Sequence, residues 1–325
     1  FAYVAYVLAI SIAQRLSIGS FKALYDYVDM TYTGVYNVLD SVSFLSALLG
    51  YDEKFFELLE YEGFGDHEHG VRKLKRGMTP SIEFKNLSFS YPDDPTTCVL
   101  KNIDLKIEPG EKVAFFGGDG SGKSSMVKIL AGLYQIKQGD YLLDGISVKD
   151  LDRGQLKKKM SVTFQDFINY NFSVQENIVI AGERKNVNKE LYEKVSSISF
   201  VDDMLRKEHI KESNILGKTF PGGKELPLGF WQRLAIARML YRNGKIFVMD
   251  EAFTFIDSET KDALLKNVLN FIGPDRTLIY ITRSVEDLEM FDKIYYFEKG
   301  RISEAGNWKQ LINRRKKFYK IVKGR

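Results

Sequence analysis

Eight consecutive residues, Gly117 to Ser124, read GGDGSGKS and set four glycines, a lysine and a hydroxyl at the spacing of a phosphate-binding P-loop. Glycines at 117, 118, 120 and 122 let successive amide N–H groups turn inward around a polyphosphate, with Asp119 and Ser121 between them. Lys123 adds a positive charge for the β and γ phosphates, and the Ser124 hydroxyl suits magnesium. Ser124 and Ser125 open a segment whose helical N-terminus would attract the same anion. Far downstream, Ile246 to Met249 form an apolar run that ends in Asp250 and Glu251. In a chain with a P-loop, that pair suits an Asp holding magnesium, directly or through water, and a Glu that polarises an attacking water.

A P-loop works only between a strand and a helix, and the flanking residues provide both. Lys112 to Phe116 read as a short buried strand. Ser124 to Leu133 keep helical spacing through Met126, Val127, Leu130 and Leu133. Strand-like runs at Ile82 to Phe84, Ile246 to Met249 and Thr277 to Ile281 alternate with helical segments, so the fold class is α/β.

With 325 residues, 44% hydrophobic and 28% charged, the chain can bury a large core and holds more than one unit. The one cysteine, Cys98, excludes an internal disulfide framework and a multi-cysteine metal site. A net charge of +4 is small for this length. The basic clusters at Arg72 to Arg76 and Arg314 to Lys317 lack an aromatic-rich binding face, so nucleic acid is not an expected partner.

The residues before this α/β unit read differently. Phe1 to Ile10 is apolar and continues through Ile12 and Ala13, shorter than the ~20 residues that span a bilayer and without a basic leader, as in the tail of a truncated transmembrane helix. A turn is expected at Ser17 to Ser20. From Phe21 to about Glu60 apolar residues recur at helical spacing, while Lys22, Asp26, Asp29, Asn37 and Asp40 occupy the opposite face. That polarity leaves a soluble amphipathic helix, which the residues alone favour, or a membrane helix whose polar face lines a water-filled path. Glu62 to Pro80 is glycine-rich and charged, which predicts a linker. His67 and His69 within it have no third metal ligand nearby and read as solvated loop.

The P-loop, Asp250 and Glu251 in this order resemble the ATP-binding cassette (ABC) family over residues 81–325. Tyr91, in FSYP, is similar to the aromatic residue that stacks on adenine, and Gln165, in VTFQD, to the glutamine that reaches magnesium. Asp257 is similar to the acidic residue that speaks across a dimer interface. Trp231 to Leu240 resembles the helix after the signature motif, and Gly300 to Gly306 also fits the family. The resemblance implies a P-loop cassette that binds ATP and Mg2+ and hydrolyses ATP. It also recasts 1–62 as the C-terminal part of an exporter's transmembrane domain and 63–80 as a linker to the cassette of 81–325. An integral plasma-membrane protein with a cytoplasmic cassette follows, with further hydrophobic spans expected upstream of Phe1. An ATP-gated regulatory module with little turnover is the alternative, and cargo is left open among peptides, lipids and drug-like molecules.

Two positions depart from the family pattern. Its LSGGQ signature is replaced by Leu226, Pro227, Leu228, Gly229 and Phe230, of which the leading Leu and one Gly are kept. Pro227 supplies neither hydroxyl nor N–H, and Leu228 brings bulk where close approach is needed. Arg283 stands where the family places a histidine at the γ-phosphate. It can bind phosphate but cannot act as a neutral imidazole acceptor. Together these imply slowed hydrolysis and a second ABC subunit as partner, a heterodimeric one with an intact signature in preference to an identical copy.

Overall fold

The computed structural model describes residues 2–15, 17–60, 72–75, 77–182, 186–219 and 222–324. They fall into two compact units, Phe1–His67 and Glu68–Arg325. The first holds α1 (Ala2–Ala13) and α2 (Ile18–Glu60). The expected turn at Ser17 to Ser20 is absent. The chain turns at Gln14 and Arg15 instead, and α2 starts at Ile18 because the Ser17 hydroxyl accepts from the Ser20 amide at 3.2 Å, as a helix cap does. Large apolar side chains such as Tyr27, Tyr36, Leu39, Phe44 and Leu45 stand exposed along α2. No helix among the described residues is long and apolar enough to cross a membrane. Helix α1 is apolar but has 12 residues, and the 43 residues of α2 are interrupted by Lys22, Asp26, Asp29 and Asp40.

The second unit runs β1 (Ile82–Phe89), β2 (Leu100–Ile107), β3 (Lys112–Phe116), α3 (Lys123–Leu130), β4 (Gln138–Leu143), β5 (Ile146–Ser147), α4 (Arg153–Lys159), β6 (Met160–Thr163), α5 (Val174–Val179), α6 (Lys189–Ile198), α7 (Val201–Lys207), α8 (Leu228–Arg242), β7 (Ile246–Asp250), α9 (Ser258–Ile272), β8 (Thr277–Thr282), β9 (Lys293–Glu298), β10 (Arg301–Gly306), α10 (Trp308–Asn313) and α11 (Lys317–Lys323). Strands β2-β1-β4-β5 form an antiparallel sheet. The larger sheet has the order β10-β9-β3-β8-β7-β6, parallel from β9 to β6 with β10 antiparallel at its edge.

The central strands read as unbroken apolar runs because alternate side chains feed two cores. Ala114, Phe116, Phe247, Met249, Leu278 and Tyr280 enter one, shared with α8 and α9. Val113, Phe115, Val248, Ile279 and Ile281 enter the other, shared with α3 and the antiparallel sheet. Two boundaries differ from expectation. Helix α3 stops at Leu130, leaving Leu133 54% exposed beyond it. The described end of the expected linker is docked: Leu74 is buried, its amide donates to Gln155 Oε1 at 2.8 Å, and Lys159 Nζ caps the Lys75 and Met78 carbonyls. His67 and His69 lie outside the described residues.

Candidate nucleotide-binding site

The site forms where the parallel strands end. Strand β3 delivers Gly117, β7 delivers Asp250 and Glu251, β8 delivers Arg283, and β6 leads to Gln165, all at the carboxyl edge of one sheet. Glycine is required at 117, where a Cβ would lie 2.3 Å from the Phe297 carbonyl oxygen. It is required again at Gly122, which caps α3 with φ +102° and whose Cβ would meet Leu100 Cδ2 at 2.6 Å. The loop is pinned from behind by the Gly300 amide, which donates to the Ser121 carbonyl at 3.1 Å.

Inside the loop, Lys123 is 4% exposed. Its Nζ donates to the carbonyls of Gly117 and Gly118, both at 2.8 Å, and to Ser121 Oγ at 3.2 Å. Burial pushes its pKa down, against the pull of Glu251 and other carboxylates nearby. Ser124 Oγ lies 3.4 Å from Asp250 Oδ1. Asp250 is 3% exposed, and burial raises its pKa to about 6 despite the Ser124 hydroxyl. A buried carboxyl beside a hydroxyl fits a hard cation. Among the described residues no group of three or more His, Cys, Asp or Glu is placed to hold a metal, so an ion here would complete its shell with phosphate and water oxygens.

Glu251 takes a left-handed backbone with φ +47°. Its amide donates to the Ile281 carbonyl at 3.2 Å, and its own carbonyl accepts from Thr254 Oγ1 at 2.8 Å and from Gln232 Nε2 at 3.5 Å. The Glu251 side chain is 10% exposed, and its Oε1 accepts from Arg283 Nε at 2.6 Å. The same guanidinium pairs through Nη1 with Asp119 of the P-loop.

Tyr91 stands beside the loop, its hydroxyl 2.8 Å from Ser125 Oγ. Phe89 and Tyr134 meet its ring edge-on at 5.1 and 5.2 Å, and the Lys128 ammonium sits 5.5 Å from its centroid. Gln165, just past β6, is exposed, and among the described residues its side chain is not hydrogen-bonded to Ser124 or Asp250. Asp257 caps α9, its Oδ1 accepting from the Thr260 amide at 2.9 Å, which holds its carboxyl below the ordinary range.

The five signature positions divide by exposure. Leu226 and Phe230 are buried in the core, so Phe230 is an anchor and presents nothing to another chain. Pro227 and Leu228 stand at the surface where α8 begins. Gly229 lies against the loop after β7, where a Cβ would meet the Phe255 carbonyl oxygen at 2.7 Å. Sequence reasoning missed Gln232, 2% exposed, whose Oε1 accepts from the Phe255 amide at 2.8 Å while its Nε2 reaches the Glu251 carbonyl. One amide thus ties α8 to the backbone of the candidate base. A lone glutamine within the apolar run LGFWQRLAIARML was the available signal. Tyr134, which props Tyr91, had none.

This is the geometry of a P-loop nucleotide-binding cassette. Residues 100–254 match the family model described as ABC transporter, and the cassette they form belongs to that family. It is 29% identical over 288 residues to the beta-(1→2)glucan export ATP-binding/permease protein NdvA of Bartonella quintana, covering 88% of this chain and 47% of the relative. It is 29% identical over 284 residues to the subtilin transport ATP-binding protein SpaT of Bacillus subtilis, covering 86% and 44%. The chain thus spans less than half the length of these relatives. A solved structure of a bacterial Atm1-family ABC exporter with ATP bound superposes with a TM-score of 0.80 at 22% identity, covering 99% of this chain and 55% of that one, and shares its fold.

Proposed function

We propose that this chain is the ATP-driven part of an exporter, binding Mg-ATP between Gly117 and Ser125 and converting its hydrolysis into movement of membrane helices. The observation that carries the reading is the convergence of Lys123, Ser124, Asp250 and Glu251 at one sheet edge. Lys123 would exchange the loop carbonyls it now holds for phosphate oxygens. Ser124 and Asp250, with Gln165, would hold the magnesium ion, which neutralises charge developing on the phosphates. Glu251 would take the proton of the attacking water, and Tyr91 would offer its ring to adenine.

The relatives' transport functions support a membrane setting, with α2 contributing to the transmembrane part: its exposed apolar residues face lipid or neighbouring helices, and Lys22, Asp26, Asp29 and Asp40 face a polar path. The cassette would lie on the cytoplasmic side. A second cassette subunit is the expected partner, since Pro227 and Leu228 leave this chain's signature without hydroxyl or bare backbone at the surface.

The test is ATP hydrolysis by the full chain alone and co-purified with its partner, each beside Glu251→Gln. The complex should turn over and lose about 100-fold or more in rate on Glu251→Gln in this chain, with ATP still bound. The chain alone should be slow. Full-rate hydrolysis by a homodimer would refute the asymmetric-partner reading.

A further inference from the structure

Arg283 joins two acidic side chains from opposite sides of the phosphate loop. Its Nε donates to Glu251 Oε1 at 2.6 Å and its Nη1 pairs with Asp119. The sheet places Arg283 within reach of both. In the order β3-β8-β7, Phe116 of β3 pairs with Thr282 and Asp250 of β7 pairs with Ile281, so the residue after β8 emerges between the start of the P-loop and Glu251.

The two ends of the bridge are held differently. The Glu251 backbone is fixed by its N–H, which donates a hydrogen bond to the Ile281 carbonyl. Asp119, 74% exposed, sits at the loop tip between Gly118 and Gly120, whose backbones have open space around them. An acidic residue at the tip of a phosphate cradle repels the phosphates it surrounds unless a cation neutralises it, and Arg283 supplies that cation. The same guanidinium occupies Oε1, one of the two Glu251 oxygens that could accept a proton from water. A polyphosphate in the loop offers Arg283 a stronger anionic partner than either carboxylate.

We propose that Arg283 is a positioning residue that latches Glu251 to the P-loop through Asp119, and that Glu251 becomes available as a base only when the γ-phosphate draws the guanidinium away. The proposal rests on the ATPase reading of this site. Released, Glu251 accepts one proton of water. The hydroxyl oxygen bonds to the γ-phosphorus as the bond to the β–γ bridging oxygen breaks, and that electron pair leaves with ADP. Arg283 changes partners and transfers no proton.

The test uses the full chain with Mg-ATP, kcat and KM being measured separately for wild type, Asp119→Asn, Arg283→Ala and the double variant. Asp119→Asn removes one of the carboxylates that hold Arg283 over the loop and so eases its move to phosphate, so kcat should rise about fivefold and KM should fall. In the Arg283→Ala background the same change should move kcat by less than about twofold. Arg283→Lys, whose single ammonium cannot hold both carboxylates, should raise kcat as Asp119→Asn does. A merely structural bridge would lower kcat in every variant. That result, or equal effects of Asp119→Asn in both backgrounds, overturns the latch. Lys123→Ala separates the two levels: Mg-ATP affinity left unchanged by it refutes the nucleotide-site reading and the latch together, whereas affinity weakened there with Asp119 and Arg283 uncoupled refutes the latch alone.

Discussion

Lys123 and Asp250 are buried groups of opposite charge, and at each the neighbours offset only part of the cost of burial. Three donor–acceptor contacts to its own loop keep the Lys123 ammonium solvated by protein. Replacing it by alanine leaves the phosphates without their buried cation, so Lys123→Ala should weaken Mg-ATP binding about 10- to 100-fold, measured by fluorescent-nucleotide titration. For Asp250 the sign runs the other way. Its pKa in the fold, about 6, lies above the ordinary aspartate value of about 4, so the folded state holds the proton more tightly than the unfolded chain. The stability from that proton is fully present below about pH 4 and is lost as pH rises through about 6. Asp250→Asn carries a neutral isostere at every pH. In metal-free buffer it should match wild type near pH 3 and exceed it at pH 8 by on the order of 2–3 kcal/mol in urea unfolding. Magnesium needs the carboxylate and would narrow that gap.

At the scale of elements, what the sequence made legible is what local pattern determines. The P-loop strand, the buried β7 and β8 and the helix after the signature all declare themselves through apolar runs and glycines, because their environments are uniform along their length. The start of α2 was misplaced because one hydroxyl, Ser17, outweighs the glycine and serines around it. The docking of Leu74 was invisible because it depends on Gln155, remote in sequence. Of the candidate site, the loop residues and both β7 carboxylates could be read in order, whereas the bridge from Arg283 to Asp119 arises from sheet order, which no window of sequence contains. Gly229 tests the contact between elements. A methyl group there would meet the Phe255 carbonyl oxygen at 2.7 Å, in a loop whose Phe255 and Glu251 backbones are held by Gln232. Gly229→Ala should therefore push α8 from the loop after β7, lowering unfolding stability by roughly 1–3 kcal/mol and lowering kcat through Glu251, while nucleotide affinity, set by the remote P-loop, changes little. Equal loss of affinity and kcat would contradict this.

For the whole molecule the decisive feature is that the signature faces outward while its anchors face inward. Phe230 is buried among core side chains, and converting it to the family's glutamine would bury an amide without partners. Pro227 and Leu228 are exposed and can be changed without disturbing that core. Pro227 holds the cap position of α8 and gives it no side-chain hydrogen bond, so Pro227→Ser supplies a hydroxyl that can cap the helix as well as one that can meet a phosphate on a facing cassette. Leu228→Gly removes the bulk that keeps backbone amides from approaching that phosphate. If two cassettes work as a pair, each hydrolytic site is composite, and repairing this chain's signature accelerates the site whose P-loop belongs to the facing subunit. In an assembly of two copies of this chain, Pro227→Ser with Leu228→Gly should therefore raise ATP turnover about tenfold or more, since donors aimed at developing charge are among the largest single contributions to catalysis. ATP affinity measured on dilute monomer should stay unchanged, because the P-loop is untouched. The rate gain should disappear on dilution while the affinity persists. A gain retained at monomeric concentrations would place the effect inside one cassette and remove the argument for a facing subunit.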